Sequence, residues 1–259
     1  MSNCIKCGYA VQAGSRFCGH CGSVVELPQE VSQEEITQKP SIQARLILIK
    51  GEGFDGVSYQ LNANDHLMGR LHGTILFPED PYLSMEHANL YYQEDQLFIK
   101  DQDSENGVFI KIHQPVELQD GDLFLAGEQL LRFEISNEYK ELSDIHQDDN
   151  ETKFYGCPPE DELHFRLVHL FRDAQEGSVF YATSSSANIG REQCELSFPF
   201  DRHISGRHAR VYEENGRYYL QDLGSKNGTF HAISKPYNLL NGDYFFVGQQ
   251  LMRVEIAPI

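Results

Sequence analysis

Nothing in this sequence is built to cross a membrane as a helix. No stretch approaches the ~18–20 consecutive apolar residues of a membrane span. The opening "MSNCIKCGYA" lacks the apolar run of a secretory leader, which predicts a cytoplasmic protein with reduced thiols. Basic residues are scarce, with 21 Lys and Arg against 39 Asp and Glu and a net charge of -18. Nucleic acid and anionic membranes both demand a basic footprint, so neither is expected as a partner. Nucleophile elbow, HExxH and Walker sequences are all missing, so no enzyme is expected.

The acidity is uneven. Residues 1–24 sum to +2, 25–43 to -3, 44–136 to -10, 137–162 to -7, and 163–259 to 0. A chain of 259 residues exceeds a comfortable single core and predicts two or three domains. The acidic stretches 25–43 and 138–162 read as linkers.

Four of the six cysteines crowd into the first 22 residues. Cys4, Cys7, Cys18 and Cys21 form C-x2-C-x10-C-x2-C, each pair followed by glycine, as in "CIKCG" and "CGHCG". Four thiolates in two tight knuckles close a tetrahedral Zn2+ site, and the pattern resembles small zinc ribbons over residues 1–24. Two disulfides or an iron site are the alternatives, and a reducing compartment argues against the disulfides. His20, between two ligands, reads as a spacer, and the lone Cys157 and Cys194 as structural.

The rest of the chain is a repeat. A shift of 121 residues lays Gly69-Arg70 on Gly190-Arg191 and Ser84 and His87 on Ser205 and His208. It lays "SENGVF" (104–109) on "SKNGTF" (225–230), and "GDLFLAGEQLLRFEI" (121–135) on "GDYFFVGQQLMRVEI" (242–256). Two domains follow, at 44–137 and 163–259. Each contains short runs rich in Val, Ile, Leu, Phe and Tyr, such as "ARLILIK", "HANLYY" and "LLRFEI", punctuated by turn residues, and no amphipathic helix. The fold class is all-β, with two antiparallel sandwiches in tandem.

Two motifs lead elsewhere and fail. "GEGFDG" (51–56) satisfies G-x-G-x-x-G, but strand-like sequence follows where a dinucleotide site needs a helix, so it reads as a hairpin. "DQDSENG" starts like a calcium loop, but its glycine comes one residue late and Ile112 stands where a bidentate Glu belongs.

What remains is an ordered set found twice: Gly-Arg, then Ser-x-x-His fourteen residues after the Arg, then Ser-x-Asn-Gly. This set resembles the forkhead-associated (FHA) domain, a phosphothreonine-binding β-sandwich, and the resemblance covers both repeats. It implies that Arg191 and Arg70 grip phosphate, and that Ser205 and Ser84 donate a hydroxyl to it. Asn227 and Asn106 hold the peptide main chain, and Thr229 joins the second repeat's binding set. Gly190, His208 and Gly228, with Gly69, His87 and Gly107, brace the loops. A phosphate dianion suits this chemistry, because a guanidinium fork and short donors make strong charge-assisted bonds.

The repeats differ where the family lines its phosphate pocket. The second has Arg207 and Lys226, whereas the first has Glu86 and Glu105. Like charges facing a phosphate cost on the order of several kcal/mol. The expected function is therefore a non-catalytic signalling adaptor that binds a phosphothreonine-containing protein mainly through the second repeat, downstream of a Ser/Thr kinase. An alternative is a regulator that docks on an enzyme and is switched by its own phosphorylation. Separately, Thr37 in the first linker is a candidate phosphothreonine that would occupy the chain's own Arg191, Ser205 and Lys226 pocket or that of a neighbouring molecule, the other reading being a plain polar linker residue. Nucleic-acid binding through the ribbon is a third reading, and the lack of an aromatic-basic stripe argues against it.

Overall fold

The structure is a computed structural model that describes residues 2–3, 6–7, 10–11, 20–21, 23, 42–50, 54–135, 163–171 and 175–258. Its regular elements among these residues are all strands, and no helix there is long and apolar enough to cross a membrane. The chain divides into two compact units, Met1–Gln38 and Lys39–Ile259. In the first, the two-residue strands Ser2–Asn3 and Ala10–Val11 pair antiparallel, and Cys7 and Cys21 are exposed. Cys4 and Cys18 lie outside the described residues, as do Thr37, Cys157 and the 138–162 stretch.

The second unit holds two sandwiches. In one, a sheet with strand order Tyr237–Leu239, Gln96–Asp101, Ala88–Gln93, Asp65–Gly69, Ile75–Leu76 packs on the strands Phe54–Leu61, Ile42–Lys50, Gln250–Pro258, Tyr244–Val247 and Val108–Lys111. In the other, the order Val116–Leu118, Arg217–Asp222, Ala209–Glu214, Ser186–Gly190, Leu196–Ser197 packs on Glu176–Ala182, Phe165–Leu170, Gln129–Ile135, Leu123–Ala126 and Thr229–Ala232. Alternating apolar residues explain the packing: strand side chains point to opposite faces, and Ala88, Leu90, Leu97 and Ile99 all point inward.

The sandwiches do not coincide with the repeats. Each repeat sends its last three strands into the other's sandwich. Val116–Leu118 pairs with Arg217–Asp222, and Gln129–Ile135 pairs with Phe165–Leu170. Reciprocally, Tyr237–Leu239 pairs with Gln96–Asp101, and Gln250–Pro258 pairs with Ile42–Lys50. The cores follow the exchange. One packs Leu46, Met68, Leu90 and Ile110 with Leu239, Phe245, Met252 and Val254. The other packs Phe165, Leu167, Val211 and Leu220 with Leu118, Phe124, Leu131 and Phe133. Each crossing segment bends, at residues 113–114 or 234–235, and ends in a proline, Pro115 or Pro236. Where the segments cross, Val108–Lys111 and Thr229–Ala232 pair with each other and fuse two sheets into one of ten strands.

Candidate functional site

The second repeat's residues at the spacings shared with the first converge at one end of its sandwich. Strand Ser186–Gly190 ends at Gly190, and the Arg191 N–H donates to the Ser205 carbonyl at 2.9 Å. A Cβ on Gly190 would lie 2.2 Å from the Gly206 carbonyl oxygen, so only glycine lets the Ser205 loop close onto this strand. The Ser205 Oγ accepts the Lys226 N–H at 3.0 Å, which leaves the hydroxyl proton for another acceptor. The Asn227 amide donates to the His203 carbonyl at 2.7 Å. Arg191, Ser205, Lys226 and Asn227 are thereby held by loops stitched to one another.

His208 ties the stitching together from beneath. It is wholly buried, its Nδ1 accepts the Ser205 N–H at 3.0 Å, and its Nε2 lies 3.1 Å from the Gly228 carbonyl. A backbone N–H can only donate, so the ring is the Nε2–H tautomer and donates to Gly228. Burial lowers the imidazole's pKa and outweighs the opposing pull of that carbonyl and of Asp222 and Asp201. His87 repeats the arrangement with Ser84 and Gly107, and burial lowers its pKa too. Between the folded and unfolded pKa values the unfolded chain binds more protons. Stability is therefore complete above the ordinary histidine value of about 6.5 and falls as the pH drops below it. Ring-proton NMR titration is expected to show both histidines remaining neutral below that value, and titration at or above it would contradict the assignment.

Asp222 organises the Asn-Gly turn. Its carboxylate accepts the N–H groups of Gly224 and Ser225 and the hydroxyls of Ser225 and Thr229. Burial pushes its carboxyl up, but these donors outweigh it and hold the pKa below the usual carboxylate range. Gly228 sits at a φ of 87°, and a Cβ there would fall 2.3 Å from the Cε of Lys111, a side chain of the other repeat. Thr229 corrects the sequence expectation. It is wholly buried with its hydroxyl committed to Asp222, so it braces the loop and does not face a peptide.

The first repeat builds the same frame. The Arg70 N–H donates to the Ser84 carbonyl at 2.9 Å, the Ser84 Oγ accepts the Glu105 N–H at 3.0 Å, and Asn106 donates to the Tyr82 carbonyl at 2.8 Å. A Cβ on Gly69 would lie 2.2 Å from the Met85 carbonyl oxygen. What changes is charge. Glu105 and Glu86 are exposed here, Glu86 lying 3.4 Å from His72, where the second repeat has exposed Lys226 and Arg207. Arg207 reaches Asn188 Oδ1 at 3.3 Å, so its guanidinium leans over strand Ser186–Gly190. Among the described residues neither Arg70 nor Arg191 is ion-paired, and the Arg70 Nε is buried without a hydrogen-bond partner.

Residues that sequence reasoning passed over also shape both pockets. Asp80 and Asp201 coincide under the 121-residue shift, as do Gln129 and Gln250, yet no motif singled them out.

Comparison with known proteins agrees with the geometry. The family model for the FHA domain matches residues 66–127 and 187–248, so the chain carries two FHA domains. The zebrafish (Danio rerio) E3 ubiquitin-protein ligase CHFR is 35% identical over 94 residues, covering 33% of this chain and 14% of that protein. The probable E3 ubiquitin-protein ligase dma1 of Schizosaccharomyces pombe is 39% identical over 54 residues, covering 17% of this chain and 20% of that protein. The matches thus span a fifth or less of these relatives. A solved chain from a structural and functional study of phosphothreonine-dependent FHA domain interactions is 26% identical, with 35% of this chain and 95% of that one covered and a TM-score of 0.21. Mycobacterium tuberculosis EmbR in complex with a low affinity phosphopeptide is 17% identical, with coverage of 33% and 26% and a TM-score of 0.20.

Proposed function

We propose that this protein is a non-catalytic, cytoplasmic adaptor that binds phosphothreonine-containing proteins, products of a Ser/Thr kinase, chiefly through the pocket of Arg191, Ser205, Lys226 and Asn227. The observation that carries the reading is one loop frame built twice with opposite charge. In both pockets a serine oxygen accepts a backbone N–H and keeps its proton to donate. In the second, Lys226 adds a cation beside Arg191, while Glu105 in the first repels a phosphate dianion. Calorimetric titration with a degenerate phosphothreonine peptide library and its unphosphorylated counterpart tests it. Binding of the phosphorylated library alone is expected, and equal binding of both would refute the reading.

One observation favours a second reading in which the first pocket also takes phosphate. Its Arg70 Nε is a buried donor without a partner, the kind of group a ligand oxygen would satisfy.

We further propose that Cys4, Cys7, Cys18 and Cys21 hold one Zn2+. The two of these that are described, Cys7 and Cys21, sit at turns, and four thiolates are the donor set a structural zinc takes. Elemental analysis of protein prepared with reductant is expected to give about one zinc per chain, and its loss on Cys7→Ser would identify Cys7 as a ligand, whereas zinc-free wild-type protein would refute the site.

A further inference from the structure

The exchange of strands has a consequence at the pockets. Asp201 is buried and opens the loop that carries His203 and Ser205. Its Oδ1 accepts the N–H groups of His203 and Ile204, at 2.7 and 3.2 Å. Its Oδ2 accepts the Glu128 N–H and the Gln129 side-chain amide, both at 2.8 Å. Those last two donors belong to the hairpin joining Leu123–Ala126 to Gln129–Ile135, which is sequence of the first repeat. The fit is close. Gly127, at a φ of 65°, could not carry a Cβ without placing it 2.7 Å from Asp201 Oδ2 and 2.8 Å from the Ile204 backbone nitrogen. Glu128 also lies 3.4 Å from the His203 ring, and the His203 carbonyl receives the Asn227 amide.

The other pocket mirrors this. Asp80 accepts the Tyr82 N–H at 3.0 Å, the Gln249 N–H at 2.8 Å and the Gln250 side-chain amide at 2.7 Å, and the Tyr82 carbonyl receives the Asn106 amide. Gln249 and Gln250 are sequence of the second repeat.

We propose that Gly127–Gln129 and Gly248–Gln250 are the positioning elements of the pockets in the opposite repeats. Residues 127–129 set the Ser205 loop and Asn227, and residues 248–250 set the Ser84 loop and Asn106. Each pocket is then complete only with a hairpin that lies about 70 residues earlier, or about 170 later, in the chain. For peptide affinity the proposal rests on the phosphothreonine reading, but its structural content does not.

The test uses the full chain with two substitutions, Gln129→Ala and Gln250→Ala. Backbone amide signals of Ser205 and Lys226 are expected to shift in Gln129→Ala, while those of Ser84 and Glu105 stay in place. Gln250→Ala is expected to do the reverse. In titrations with the phosphothreonine library, Gln129→Ala is expected to weaken binding by about tenfold, the loss of one hydrogen bond to a buried carboxylate, while Gln250→Ala changes it less than twofold. A general loss of stability would move both sets of signals and could not produce this crossed pattern. The opposite pattern, with Gln250→Ala moving Ser205 and Gln129→Ala moving Ser84, would mean that each repeat braces itself, and would overturn the proposal. If the unmodified chain binds no phosphothreonine peptide, the functional reading fails and the amide shifts still decide the inference.

Discussion

Two separate chains, residues 1–149 and 150–259, produced in the same cell are expected to purify together as a one-to-one complex. Neither half contains a closed sandwich. The first half supplies Leu118, Phe124, Leu131 and Phe133 to a core whose remaining walls, Phe165, Leu167, Val211 and Leu220, belong to the second. The second half returns Leu239, Phe245, Met252 and Val254. Burial of each such side chain is worth about 1.5–3 kcal/mol, so separating the halves exposes far more apolar surface than the net stability of a domain tolerates. The strand edges add to this, because Ile42–Lys50 and Gln250–Pro258 pair over eight residues and Phe165–Leu170 and Gln129–Ile135 over six. Analytical ultracentrifugation of the co-purified material measures the outcome. Two monodisperse monomers that ignore each other would show that the repeats close on themselves in solution.

Arg191→Ala is expected to remove phosphothreonine-peptide binding from the whole protein, while Arg70→Ala is expected to leave it within a few-fold. Truncating one partner of a hydrogen-bonded charge pair costs about 2–5 kcal/mol, or roughly thirtyfold to several thousandfold in affinity. The two arginines enter identical frames, each with its N–H on the carbonyl of the serine that faces it. Within that shared backbone frame, the contrast between them reports mainly the charge of the flanking side chains. The backbones of Lys226 and Arg191 both bond to Ser205, and those of Glu105 and Arg70 both bond to Ser84. Calorimetry on both variants and on Glu105→Lys separates the contributions. If Arg70→Ala is the more damaging change, the ranking of the pockets is reversed.

Much of this architecture was legible in the sequence, because its signals are local. Alternating apolar residues mark the strands, and the 121-residue repeat marks two units of one fold. The Arg, Ser, His and Asn-Gly spacings mark the pockets. The exchange was not legible, for a physical reason. "GDLFLAGEQLLRFEI" and "GDYFFVGQQLMRVEI" have the same polarity pattern, so either segment fits either sandwich. Only the path through 112–115 and 233–236 distinguishes the two arrangements, and strand periodicity is silent about paths. Thr229, placed in the binding set by the family resemblance, is instead buried with its hydroxyl on Asp222. The repeat held the contrary signal, since Val108 at the matching position is a core residue. Asp80 and Asp201 matched in the alignment, but their hydrogen-bond partners lie 170 and 72 residues away, beyond any local motif.

The exchanged strands also set a clock on biosynthesis. When residues 42–111 leave the ribosome, one of the two strands that flank Ile42–Lys50, Gln250–Pro258, has not been made, and Glu255, which pairs with Arg45, is 210 residues downstream. At elongation rates of about 5–20 residues per second, the first repeat waits on the order of ten seconds or more with an open sheet edge and an uncovered apolar face. The second repeat's partner strands, by contrast, are already in hand when it emerges. Translation therefore imposes an order on a fold that is symmetric once finished. The sandwich begun first closes last, and the N-terminal half is the part of the nascent chain with the longest need of a chaperone.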